Sequence, residues 1–211
     1  MKLTIINYGS GNLHSVHKAF QKANSELQSP FSIEVTNDPK QILNADKIVL
    51  PGVGAFSDCK NSIIQIDGLF EALKELVIQK KKPFMGICVG MQLLADRSDE
   101  FGDHKGFGWI SGRIKEIPKH KDCKIPHMGW NEVNFNAHDL FAGVKQKSDF
   151  YFVHSFYFEA TDQKNVLATT QYPEKITAAV IKENIFGTQF HPEKSHENGK
   201  TIIKNFLEWN Y

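Results

Sequence analysis

Apolar residues in the first half of the chain fall in short solid runs, each followed by a stripe at helical spacing. Leu3-Thr4-Ile5-Ile6 predicts a buried strand, and Leu13, Val16, Ala19 and Phe20 mark one face of a helix over 13–23. A short alternating strand follows at Phe31 to Val35, then a helix start at Asp38-Pro39, with Asp as cap and Pro in the first turn. Lys47 to Leu50 reads as a second buried run, and Ser57 to Lys81 as mostly helical with a break near Asp67-Gly68. Pro83 to Ile87 is a third buried run, ahead of the helical stretch Met91 to Leu94. Strands alternating with helices in this way predict a parallel sheet wound with helices.

The period changes after Asp96. Arg97 to Gly106 reads as a charged loop, and Gly108 to Pro118 as an alternating antiparallel strand. Further strands are expected at Trp130 to Val133, Phe150 to His154, Val166 to Thr170, Ile176 to Ile181 and Ile185 to Gln189, with a hairpin turn at Lys182-Glu183-Asn184. Gly199 to Tyr211 predicts a closing amphipathic helix. With no linker or repeat, the expectation is a single α/β domain over 1–211, doubly wound, in which the β-rich half extends the same sheet.

Composition narrows the class. The 211 residues are 41% hydrophobic and 23% charged with a formal net charge of +1, so neither nucleic acid nor a membrane surface is expected as the main partner. No apolar stretch approaches spanning length, and the N-terminus is too short for a signal peptide. Three cysteines at wide spacing, Cys59, Cys88 and Cys123, argue against a disulfide framework or a zinc site and for a reducing, cytoplasmic setting.

Candidate chemistry gathers at the carboxyl ends of the predicted strands. Gly9 to Gly11, Gly52 to Gly54 and Gly86 to Gly90 all fall at that edge, where ligands of wound sheets sit. Gly86-Ile87-Cys88-Val89-Gly90 has the form of a nucleophile elbow, with Cys88 at its tip. A cysteine nucleophile needs a base and an orienting carboxylate. His191 and Glu193, two apart around Pro192, point the same way if that segment is extended. Backbone N–H groups of Val89 and of the Gly52-Val53-Gly54 loop are positioned to hold an oxyanion. These residues alone predict acyl transfer through Cys88, His191 and Glu193, with no substrate specified.

The elbow Gly86 to Leu94 and the segment Gln189-Phe190-His191-Pro192-Glu193-Lys194-Ser195 resemble the class I (triad) glutamine amidotransferases. Tyr8 to Leu13, Leu50 to Phe56, Pro126 to Asn131 and Tyr151 to Ser155 narrow the likeness to the glutaminase subunits of imidazole glycerol phosphate synthase, the HisH branch. The resemblance implies a flavodoxin-like fold and glutamine hydrolysis without cofactor or metal. It implies that Gly54, Gln92, Glu100, Ser155 and Phe156 hold glutamine, and that Asn12 and Trp130 face a (βα)8-barrel cyclase subunit of HisF type. Ammonia passing to that heterodimer partner gives imidazole glycerol phosphate and AICAR in histidine biosynthesis. It also implies that turning the Val53 N–H into the oxyanion hole carries the partner's signal. Asn7, Phe156 and His196 depart from the usual pattern. They leave open a second acceptor, a surface-polysaccharide sugar amidated through a HisH–HisF-like pair.

Overall fold

The computed structural model describes residues 1–121 and 123–211. The first half alternates as expected: β1 (Lys2–Ile6), α1 (Leu13–Asn24), β2 (Ser32–Thr36), α2 (Pro39–Ile42), β3 (Lys47–Gly52), α3 (Phe56–Gln65), α4 (Leu69–Lys74) and β4 (Phe84–Cys88). Gly68 separates α3 from α4 in a left-handed conformation, φ 73, which glycine adopts without strain. One turn of helix, α5 (Val89–Gln92), follows β4.

The second half holds β5 (Arg97–Ser98), β6 (His104–Lys105), β7 (Gly112–Glu116), β8 (His127–Phe135), β9 (Ser148–His154), β10 (Phe156–Ala160), β11 (Val166–Gln171), β12 (Lys175–Lys182), β13 (Ile185–Thr188) and α6 (His196–Glu208). One sheet runs β2-β1-β3-β4-β13-β12-β11-β8-β9. Its first five strands are mutually parallel, and the pairs from β13 to β9 are antiparallel. The extension of the wound sheet is therefore as the sequence predicts.

Two features differ. A second sheet, β10-β7-β5-β6, forms beside the first. The stretch expected to be a charged loop supplies its short β5–β6 ladder, fixed by Arg97 and Arg113 on Asp103 and by Arg113 on Asp99. Phe156 to Ala160 joins this sheet by pairing with β7, and its apolar face buries Phe158 and Ala160. The final helix also starts three residues earlier than expected, at His196.

The core is continuous from Leu3 to Trp209. Lys47 crosses it at 3% exposure and donates to the carbonyls of Phe206 and Trp209. This satisfies carbonyls that the end of α6 leaves open. Burial lowers the Lys47 ammonium to about 8. Among the described residues no helix is long and apolar enough to cross a membrane.

Candidate active site

The central strand β4 lies between β3 and β13, with Gly52 in register with Cys88 and Thr188 with Ile87. Cys88 ends β4 at φ 55 and ψ −112, strained for a residue with a side chain. Glycines make the turn possible. A Cβ on Gly90 would stand 1.9 Å from the Leu50 oxygen, and one on Gly86 2.5 Å from the Gly90 oxygen. The helix expected beyond the elbow stops at Gln92 because its carbonyls are taken elsewhere. Phe107, Trp109 and Gly108 donate to Leu93, Leu94 and Ala95. A single turn adds little dipole, so the N–H groups at its start matter more than the field.

His191 itself is extended, but Pro192–Lys194 form a 3-10 turn, so the extended run expected to reach Glu193 stops at Pro192. The carboxylate still reaches the ring: Glu193 Oε1 lies 2.8 Å from His191 Nδ1, both side chains almost fully buried. The backbone of His191 is held by its N–H on the Tyr151 carbonyl at 2.9 Å and by Ser195 Oγ donating to its carbonyl at 2.6 Å. Burial pushes the imidazole down, but the nearby Cys88 sulfur and then the Glu193 carboxylate outweigh it and raise His191 to about 10.

Cys88 and His191 face one cavity of about 160 Å³, lined also by Val53, Gly54, Val89, Gln92 and Glu100. Val153, His154, Ser155 and Phe156 close its other side. Such a volume is well under the roughly 300–1,000 Å³ of drug-sized sites, which suits a small metabolite. A larger cavity of about 520 Å³, bordered by Asn134, Tyr157 and Glu174, holds neither cysteine nor histidine. Both Cys88 and His191 line the smaller one. Among the described residues no cluster of His, Cys, Asp and Glu is arranged to hold a metal.

All five residues expected to hold substrate thus line the cavity that Cys88 and His191 share. Glu100 Oε2 accepts the Phe56 N–H at 2.6 Å, and burial raises its carboxyl against that bond. Val53 is placed at the cavity with its N–H turned to Ser10 Oγ at 3.3 Å. Ser10 in turn donates to the Val53 carbonyl at 2.5 Å, and the Cys59 thiol donates to the same oxygen at 3.3 Å. Asn12 lies away from the cavity as the cap of α1, its Oδ1 accepting the Ser15 N–H at 3.3 Å. Trp130 is 47% exposed and stacks on His196, centroids 4.9 Å apart and planes 3° from parallel. His196 has φ 47, a conformation that favours glycine, so this departure has a physical compensation in the ring contact.

Two site groups have no expected role in the sequence reading. His154 lines the cavity, and Gln189 Nε2 stands 3.7 Å from the Cys88 sulfur. Both sit inside recognisable segments, but their partners lie on strands distant in sequence.

The model of the family described as glutamine amidotransferase class-I matches residues 4–209. The chain is 48% identical to imidazole glycerol phosphate synthase subunit HisH of Rhodospirillum rubrum over 99% of both chains. It is 47% identical to the subunit of that name from Rhodopseudomonas palustris, again over 99% of both. The Pelagibacter ubique subunit HisH is 46% identical over 98% of this chain and 99% of its own. A crystal structure of a glutamine amidotransferase superposes with TM-score 0.73 at 13% identity over 97% of both chains. Another, from Thermotoga maritima, gives 0.63 at 16% identity over 99% of this chain and 83% of its own. At such identities the two structures speak for the fold alone.

Proposed function

The chain belongs to the class-I glutamine amidotransferase family, and from that premise we propose that it is the glutaminase subunit of imidazole glycerol phosphate synthase, as its HisH relatives are named. The observation that carries the chemistry is the sharing of one small cavity by Cys88 and His191, with Glu193 bonded to His191.

The Cys88 thiolate attacks the side-chain amide carbon of glutamine. The oxygen that gains charge is held by the Val89 N–H and by the Val53 N–H once that group leaves Ser10. His191, oriented by Glu193, gives its proton to the leaving nitrogen, and ammonia departs. Water then attacks the thioester with His191 as base, releasing glutamate and restoring the sulfur. Glu100 is the acidic group of the wall, suited to the substrate's ammonium, while Gln92, Gly54, Ser155 and Phe156 shape the rest.

The chain acts as one domain over 1–211 in a cytoplasmic setting. Ammonia passes to a (βα)8-barrel cyclase subunit docked over Asn12 and the exposed Trp130 and Met128. The cyclase uses it on the ribulosyl formimino-carboxamide intermediate to form imidazole glycerol phosphate and AICAR. The test is to mix the chain with glutamine, the cyclase and that intermediate. Glutamate and imidazole glycerol phosphate appear in equal amounts on this reading. Glutamate without imidazole glycerol phosphate would redirect the ammonia to another acceptor.

A further inference from the structure

Gln189 follows β13 and is fully buried. It does not line the cavity, so substrate contact is not its task. Its side-chain nitrogen faces the Cys88 sulfur at 3.7 Å, the reach of an N–H on the larger sulfur atom. The direction of the amide is fixed from outside. The Phe156 carbonyl can only accept. Gln92 Nε2 donates to it at 3.0 Å and gives its other hydrogen to Gln189 Oε1, also at 3.0 Å. With its oxygen committed, Gln189 turns its N–H to the sulfur. A flipped amide would set two NH2 groups together and an oxygen lone pair against the sulfur.

The chain of bonds continues outward. His154 Nδ1 donates to the Phe156 carbonyl at 2.8 Å, which leaves its Nε2 to accept from His127 Nδ1 at 3.0 Å. Asn131 Nδ2 then donates to His127 Nε2 and to the Gln171 carbonyl, both at 3.1 Å. Backbone carbonyls at both ends leave one consistent arrangement of every proton between them.

We propose that Gln189 is a catalytic residue whose amide N–H donates to the Cys88 thiolate, with Gln92, the Phe156 carbonyl and His154 as the positioning groups that aim it. The inference rests on Cys88 being the glutaminase nucleophile. The bond holds the sulfur in its attacking form until the C–S bond forms and the charge moves to the substrate oxygen.

Iodoacetamide tests it on the full chain at neutral pH, with the site resolved by peptide mass spectrometry because Cys59 and Cys123 are also free. Losing a charge-assisted hydrogen bond lowers the thiolate share, and the rise in intrinsic nucleophilicity offsets part of that. Gln189→Met should therefore alkylate at Cys88 roughly three- to tenfold more slowly. Gln189→Glu keeps an acceptor for Gln92 but sets a carboxylate oxygen against the sulfur in place of the donor. It should slow at least as much as the Met variant, lower kcat and leave KM for glutamine within about twofold. Either folded variant reacting at the wild-type rate overturns the inference. A wild-type chain that neither alkylates at Cys88 nor hydrolyses glutamine overturns instead the reading on which it rests.

Discussion

Cys88 sits where backbone strain, a buried imidazole and a side-chain amide converge. In the proposed chemistry His191 acts through its ring, Glu193 through Oε1 on that ring and Gln189 through Nε2 on the sulfur. Glu193→Gln should lower kcat by roughly 10²–10⁴-fold with little change in KM, because it removes the charge that orients and supports the imidazolium while leaving the cavity intact. Steady-state kinetics on the activated enzyme reads this directly. The buried pair His127 and His154 makes a second, separable claim. Burial pushes their imidazoles down to about 4 and about 3. The unfolded chain takes up protons near 6.5, before the folded one, so stability rises with pH across that interval. Thermal melts should therefore show Tm falling as pH drops from about 6.5 towards 4, and His154→Asn should flatten that slope.

At the scale of elements, the elbow depends on close approach of three strand ends. Gly90→Ala places a carbon 1.9 Å from the Leu50 oxygen, which neither β3 nor α5 can accommodate without moving. A fall in Tm of roughly 5 °C or more is expected by calorimetry, given the cost of overpacking a rigid contact in a chain of this size. The elements themselves were largely legible. Solid apolar runs mark β1, β3 and β4, and helical stripes mark α1 and α6, because those patterns record burial by a single partner surface. One expected loop became a ladder, one expected helix was cut short and one strand had no signal of its own, each where distant chain decided the outcome. The run after Cys88 has helical spacing, but the 107–110 segment takes its carbonyls. The Arg97–Gly106 stretch looks like a loop until Asp99 and Asp103 meet Arg97 and Arg113. Phe156 to Ala160 gains its strand only by pairing with β7. The site divides along the same line. Cys88, His191 and Glu193 lie in short local patterns, whereas the roles of Gln189 and His154 rest on contacts across the sheet.

For the molecule as a whole, the proposed function makes the Val53 loop the join between chemistry and assembly. With its N–H on Ser10, the loop offers the cavity one donor fewer than acyl transfer uses. The chain alone should therefore hydrolyse glutamine slowly, with a large rise when the barrel partner and its substrate are bound. A free chain already at the rate of the complex would remove that account of control. The exposed Trp130 should anchor the partner, so Trp130→Ala should weaken binding by about 2 kcal/mol in calorimetric titration. Asn12 is a poorer probe, since its loss also uncaps α1. The measurement closest to the central claim compares nitrogen sources for Cys88→Ala in the assembled enzyme. Formation of imidazole glycerol phosphate should vanish with glutamine and persist at the wild-type rate with ammonium salts. Glutamine-dependent product from that variant would show that Cys88 is not the group that releases ammonia.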